Sequence, residues 1–436
     1  MKNLEIGIKS LKGLWIGDCI GNIGQLYFAH DILKALDEGL AKFGKDNINP
    51  MGNSFQYSDD TEEAIVLFNH INNFGDVKQD FLARELAIRY YDRDPDGEIY
   101  GYGLMTRTVL KEIYDGKSWR EANQTKPRIE GPSHVDNLLS NIADGKSITD
   151  SMTLMNIELK KKMEKEPLKV GSCGNGSAMR VPPLGAYFFG KSVYDVKTMA
   201  RLQSEVTHCH PEGIAGSIAI ALLSKYISLL SEWENYDPSS LFNLLLEDVP
   251  RGQVWDGIKK ASELPFDTPL TKLMEVLGNG TYVTCQDTVP LCVFLTIRAL
   301  CQYKVEEMYE KVIIETCMCF GDVDTNCAIV GGMIGIISAP PERWVRYCQP
   351  MEGVLGEPLP EKKLSVKNSI KKKLAMDLDV NEILNCTRPW STGEGMVEDQ
   401  ADAIFEKEKV LASALRTPAP TWEEVLAARK RDLKMV

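Results

Sequence analysis

The sequence has neither an excess of positive charge nor a long uninterrupted apolar run. Its 50 Lys and Arg residues are outnumbered by 62 Asp and Glu residues, and the net charge of −12 argues against a nucleic-acid-binding surface. Charges interrupt the apolar residues of positions 1–18, so the apolar region of a signal peptide is missing. The apolar stretch 327–339 is shorter than the roughly 18 residues that a membrane span needs. We therefore expect a cytoplasmic protein that binds neither nucleic acid nor membrane.

Three common functional motifs are also absent. Of 11 cysteines, only Cys317 and Cys319 lie close together, and two ligands are too few for a zinc site. We therefore expect the cysteines to be reduced and mostly buried. The GKS triplets at Gly116 and Gly145 lack the first glycine of a Walker loop. The sequence has no GxSxG, so an esterase-type nucleophile has no support.

Helical periodicity dominates what is present. Apolar residues recur at three- and four-residue spacing, which predicts an all-α protein. The segments are 61–71, 81–91, 214–230, 308–319 and 326–337. We predict an all-α body over residues 1–352. A mostly helical extension over residues 353–436 follows it, either packing on the body or serving as an interaction module.

Two acidic clusters each precede a predicted helix. The first contains Ser58-Asp59-Asp60 and the second contains Asp322, Asp324 and Thr325. Helix capping is the simplest interpretation of either cluster taken alone, because Ser, Asp and Thr satisfy the free N–H groups of a helix start.

The clusters contain more oxygen-bearing side chains than capping requires. A hydroxyl beside two carboxylates suits a hard cation. If the clusters meet in space, each like-charge contact at about 4 Å costs about 4 kcal/mol at an effective dielectric near 20, whereas a cap contributes only about 1 kcal/mol. Such a site would need metal ions, although the sequence does not itself bring the clusters together.

Two further motifs lie between the acidic clusters. The Gly-rich segment 171–176 allows a backbone to approach a ligand closely, and the helix start after it offers N–H groups to phosphate. Thr207-His208 precedes Pro211, which suits a first helical turn. Each motif alone is more often structural than functional.

Taken in order, the motifs resemble the ADP-ribosylhydrolase family, which includes the dinitrogenase-reductase-activating glycohydrolase and the hydrolases of ADP-ribosylarginine and ADP-ribosylserine. The resemblance covers about residues 1–350. The matching segments are Gly13-Leu14-Trp15-Ile16-Gly17-Asp18-Cys19-Ile20-Gly21, Ser58-Asp59-Asp60-Thr61, Gly174-Asn175-Gly176-Ser177-Ala178-Met179-Arg180, Thr207-His208 with Pro211, Gly321-Asp322-Val323-Asp324-Thr325-Asn326 and Pro341-Glu342-Arg343-Trp344.

This resemblance implies an orthogonal multi-helix bundle with a binuclear Mg²⁺ centre, in which Mn²⁺ is a possible substitute. The metal ligands would be Ser58, Asp59, Asp60, Asp322, Asp324 and Thr325. The diphosphate and distal ribose would contact Ser172, Cys173, Gly174, Asn175, Gly176, Ser177 and His208. Asp59 or Asp60 would be the catalytic base toward a water molecule.

The implied reaction is hydrolysis of the bond between ADP-ribose and a modified substrate, most simply an arginine or serine side chain of a protein. A non-catalytic ADP-ribose-binding or crystallin-like relative and a hydrolase of O-acetyl-ADP-ribose are the alternatives. Val323 and Cys173 depart from the family pattern. The departure at Cys173 puts in doubt how the loop contacts the ligand at that position. Residues 94–103 are a candidate lining for the leaving group. We expect a monomer.

Overall fold

The computed structural model describes residues 2–24, 55–97, 99–124, 171–230 and 237–356, all within one compact unit. These ranges form helices without any strand, which confirms the predicted all-α class. The helices are α1 Lys2–Gly24, α2 Asp59–Phe74, α3 Gln79–Arg93, α4 Leu104–Tyr114, α5 Trp119–Gln124, α6 Gly176–Met179, α7 Pro182–Tyr187, α8 Val193–Glu205, α9 Pro211–Leu230, α10 Leu241–Asp248, α11 Gln253–Ser262, α12 Leu270–Leu277, α13 Cys285–Gln302, α14 Val305–Cys317, α15 Val323–Ile334 and α16 Glu342–Val345, with 3-10 turns at Pro238–Ser240 and Val354–Gly356.

A line of glycines brings α1 against α15. Gly13, Gly17 and Gly21 recur every four residues and therefore share one face of α1. A Cβ at Gly17 would stand 2.1 Å from the carbonyl oxygen of Cys327, and one at Gly21 would stand 2.6 Å from the Cα of Asp324. Only glycine permits this approach, since interiors are close-packed. The backbone of α1 therefore contacts the helix that begins at the second acidic cluster.

Helix α9 lies at the centre of the body, in contact with α7, α8 and α13. It is long and apolar enough to cross a membrane by length and composition, but 89% of its most apolar window is buried inside the protein. The argument from length made for residues 327–339 does not apply to α9, because α9 is longer than that stretch. Its apolar character is that of a core helix.

The five segments with helical periodicity all fall in helices, although 308–319 and 326–337 run two or three residues past the observed ends of α14 and α15. None of the ten cysteines in the described ranges forms a disulfide, and most are buried, as predicted. The predicted extension lies outside the described residues beyond position 356, so its helices stay a prediction.

Candidate active site

The first acidic cluster forms the start of α2. Ser58 is the N-cap, and its Oγ accepts a hydrogen bond from the backbone N–H of Asp60 at 3.2 Å. The same hydroxyl donates to Asp60 Oδ2 at 2.7 Å. The capping interpretation is therefore correct for Ser58, while Asp59 and Asp60 remain in excess of what the cap uses.

Asp18 on α1 holds this helix start in place. Its carboxylate accepts hydrogen bonds from the backbone N–H of Ser58 and from both the N–H and the hydroxyl of Thr61, at 2.5–3.1 Å. Desolvation, with a repulsive contribution from Asp324, raises the pKa of Asp18 to about 7. Asp18 belongs to the motif matched at positions 13–21, but its spacing gave no reason to place it beside residue 58.

The second acidic cluster forms the start of α15. Asp322 occupies the N-cap position without a side-chain cap hydrogen bond. Its Oδ2 instead accepts from Asn175 Nδ2 at 2.6 Å. Asp324 Oδ1 accepts from the backbone N–H of Thr325 at 2.9 Å. The Asp322 side chain therefore binds the Gly-rich segment through Asn175 and does not cap α15.

The two clusters meet in space. Thr325 Oγ1 lies 3.5 Å from Asp60 Oδ2, across 265 positions of sequence. Desolvation first, and then repulsion by neighbouring carboxylates that include Asp324, raises the pKa of both Asp59 and Asp60 well above the ordinary value. Desolvation and repulsion by Asp324 also raise the pKa of Asp322 well above its ordinary value. The like-charge crowding anticipated from the sequence is therefore present.

The chemistry of these donors fits divalent cations. Asp60 Oδ1 is buried without a hydrogen-bond partner, which leaves an acceptor that a cation would satisfy. Carboxylate and hydroxyl oxygens are the ligands that Mg²⁺ and Mn²⁺ take. Within the described ranges, no group of three or more His, Cys, Asp or Glu side chains is placed so that it could hold a metal ion as it stands. An ion would have to draw the carboxylates together.

The Gly-rich loop lies beside the second cluster. The segment before α13 holds it: Asn175 N–H donates to the carbonyl of Val283 at 3.2 Å, and Cys285 N–H donates to that of Cys173 at 3.0 Å. The Asn175 side chain turns away from a loop ligand, since its Nδ2 is bonded to Asp322 and to Thr288 Oγ1. Asn175 thus joins the loop to the acidic cluster.

Ser172 and Ser177, which were also predicted to contact the ligand, form hydrogen bonds within the protein through their hydroxyls. Ser172 Oγ accepts from the N–H of Gly174 at 3.1 Å. Ser177 is fully buried, and its hydroxyl is hydrogen-bonded to Ser204 Oγ and to the carbonyl of Gly213. The structure therefore does not present the Ser177 side chain to a ligand, and its substrate contact stays a prediction.

His208 faces the loop from the segment before α9, which begins at Pro211 as predicted. A Cβ at Gly176 would stand 2.7 Å from His208 Cε1, and one at Gly174 would stand 3.3 Å from Nε2. Burial, together with the charge of Arg180, lowers the pKa of His208 to about 3. His208 is therefore a neutral imidazole at the inner surface of the loop.

Residues 99–103 lie next to Asp59. The backbone carbonyl of Tyr100 accepts from the N–H of Asp59 at 2.7 Å, and a Cβ at Gly101 would stand 3.9 Å from Asp59 Oδ1. A side chain at Gly103 would meet open space. The leaving-group lining predicted for residues 94–103 stays a prediction, and residue 98 lies outside the described residues.

A family model described as ADP-ribosylglycohydrolase matches residues 7–374. The chain belongs to the ADP-ribosylglycohydrolase family. This confirms the resemblance seen in the sequence, and it makes the protein a hydrolase of glycosyl bonds that acts on ADP-ribose linkages.

Curated relatives align with most of this chain and with most of their own length. Human ADP-ribosylhydrolase ARH3 is 25% identical over 380 residues, covering 78% of this chain and 88% of the human protein. The Gallus gallus ADP-ribosylhydrolase ARH3 is 29% identical over 374 residues, with the same shares. A solved structure described as an ADP-ribosylglycohydrolase-related protein complex is 15% identical, covers 80% of this chain and 93% of its own, and superposes with a TM-score of 0.44.

Proposed function

We propose that the protein is a Mg²⁺-dependent hydrolase that releases ADP-ribose from a modified arginine or serine side chain. The observation that carries the proposal is the convergence of two acidic helix starts, joined by Thr325 and Asp60, beside a Gly-rich loop. The cations would be held by Ser58, Asp59, Asp60, Asp322, Asp324 and Thr325. When bound, they would orient the ribose hydroxyls and lower the pKa of a water molecule at the anomeric carbon.

Of the two candidate bases, the surroundings favour Asp59. Asp60 is buried, and its Oδ2 already receives hydrogen bonds from Ser58 and Thr325. Asp59 retains partial exposure, and its Oδ1 lies 3.9 Å from the position of a Cβ at Gly101.

The other half of the site would bind the ADP-ribose moiety. The diphosphate would be bound by backbone groups of residues 172–176 and by the neutral imidazole of His208. Uncharged N–H groups can bind an anion through hydrogen bonds, so no positively charged side chain is required. The leaving side chain would depart past Gly103, where the structure leaves room. The proposed substrate is therefore an ADP-ribosylated protein.

The test is to incubate the full chain with arginine-, serine- and glutamate-linked ADP-ribose peptides and with O-acetyl-ADP-ribose. Each substrate is assayed with Mg²⁺, with Mn²⁺ and with chelator, and released ADP-ribose is quantified by chromatography. We expect release from the arginine or serine peptide with Mg²⁺, little with chelator, and partial recovery with Mn²⁺.

Thermal unfolding is followed in the same preparations. Mg²⁺ should raise the midpoint, because it binds only the folded cluster. Release from O-acetyl-ADP-ribose alone would assign the enzyme to a small metabolite. ADP-ribose binding without cleavage of any substrate would assign the chain to the non-catalytic binders.

A further inference from the structure

A buried chain of hydrogen bonds connects the helix of the first acidic cluster to His208. Arg180 donates from Nη1 to Glu63 Oε2 at 2.8 Å and from Nη2 to Thr207 Oγ1 at 3.0 Å. Thr207 Oγ1 in turn lies 2.8 Å from His208 Nδ1. All four side chains are at most 3% exposed.

The direction of each bond follows from which groups carry hydrogen. A guanidinium only donates, so the Thr207 oxygen accepts from Arg180. The Thr207 oxygen could accept a second hydrogen bond, but among the described residues His208 Nδ1 is the one acceptor within hydrogen-bond distance of the Thr207 hydroxyl. The hydroxyl therefore donates to Nδ1, which acts as the acceptor. A neutral imidazole that accepts at Nδ1 carries its hydrogen on Nε2.

The Nε2 atom is the one that faces the Gly-rich loop. A Cβ at Gly176 would stand 2.9 Å from it, and one at Gly174 would stand 3.3 Å from it. Glycine at both positions keeps a loop side chain from covering this atom. The opposite tautomer would present a lone pair there, which repels an anionic oxygen.

We propose that Glu63, Arg180 and Thr207 are positioning residues that hold His208 as an Nε2–H donor toward an anionic phosphate oxygen of the ligand. The proposal deepens the proposed function, on which its ligand rests. Glu63 neutralises the buried guanidinium, which would otherwise be an uncompensated charge. Because Glu63 lies one turn after Asp59 on α2, the same helix start serves both halves of the site.

Thr207→Val removes the hydroxyl while keeping the shape of the side chain, and Thr207→Ser restores the hydroxyl. Thr296→Val is the matched control, since Thr296 is buried on α13 and its hydroxyl has no hydrogen-bond partner in the described structure. Long-range ¹H–¹⁵N spectra of the ligand-free full chain report the tautomer of His208, and a His208→Asn variant assigns its signals. Calorimetry with ADP-ribose in chelator measures affinity without contributions from metal ions.

We expect the wild type, Thr207→Ser and Thr296→Val to carry the His208 proton on Nε2. Thr207→Val should shift toward a mixture of tautomers and bind ADP-ribose about tenfold more weakly, since a hydrogen bond to a charged group would be lost in part. A wild-type proton on Nδ1, or unchanged affinity and tautomer in Thr207→Val, would overturn the proposal.

The wild-type spectrum decides the tautomer even if Thr207→Val does not fold. Absence of ADP-ribose binding by the wild type would overturn the proposed function instead, and the tautomer measurement would still test the hydrogen-bond chain.

Discussion

The two halves of the site satisfy their polar groups in opposite ways. In the loop half, Ser172, Ser177 and His208 are hydrogen-bonded within the protein. In the acidic half, carboxylates crowd one another and Asp60 Oδ1 has no partner. The loop half is therefore complete as folded, whereas the acidic half gains stability only when a cation or protons reduce its negative charge.

This contrast predicts that removing a carboxylate from the acidic half lowers the rate of hydrolysis without lowering the stability of the fold. Asp60→Asn keeps the oxygen that receives hydrogen bonds from Ser58 and Thr325 but removes one negative charge. We expect hydrolysis to fall more than about 100-fold, since even supporting residues of metal sites cost 10- to 100-fold. In chelator, the free energy of unfolding should stay the same or rise, because like-charge repulsion is relieved.

Activity is measured as ADP-ribose release and stability by urea unfolding. Asp267→Asn, at an exposed position before α12, is the control and should change neither. An Asp60→Asn variant that hydrolyses its substrate with Mg²⁺ at the rate of the wild type with Mg²⁺ would remove the acidic half from the reaction.

The loop half should respond to crowding. In Gly176→Ala, the added Cβ would stand 2.7 Å from the His208 ring and displace it. We expect ADP-ribose to bind about tenfold more weakly by calorimetry in chelator, the loss that follows a misplaced hydrogen bond to a charged group. Gly190→Ala, where the new methyl group meets open space, should bind normally. Equal affinities for the two variants would show that His208 does not contact the ligand.

The smallest effect is expected at Ser177. Replacing Ser177 by Ala removes hydrogen bonds to Ser204 and Gly213, so the free energy of unfolding should fall by about 1 kcal/mol. The affinity for ADP-ribose should stay within about twofold of wild type, because the hydroxyl is used internally. Ser204→Ala gives the matching stability loss. Weaker binding without a loss of stability would instead support the ligand contact predicted from the sequence.

The sequence predicts the helices and both acidic helix starts, because apolar periodicity and excess carboxylates are local patterns. Asp322 shows why the excess was informative, since it occupies a cap position without capping. Asp18 and Glu63 lacked such a signal. Their partners are 40 and 117 positions away, and periodicity carries no information about which side chains meet across that distance.

Ser177 shows the converse limit. Its position in a Gly-rich motif predicts a ligand contact, but the local turn directs its hydroxyl into the core. A motif specifies that the backbone approaches a ligand, whereas the direction of each side chain depends on the packing around it. The same holds for Asn175, whose amide serves the acidic cluster.

The glycine face of α1 has a consequence for the order of folding. Asp18 fixes the start of α2, and Gly21 contacts the backbone of Asp324, so α1 sets the separation of the two acidic clusters although it supplies none of the proposed ligands. Residues of α1 and α15 are some 300 positions apart, and such distant pairs form late and slowly in folding. The acidic half can therefore assemble only after the chain as far as α15 has been synthesised, and partly made chains should contain the first cluster without the second.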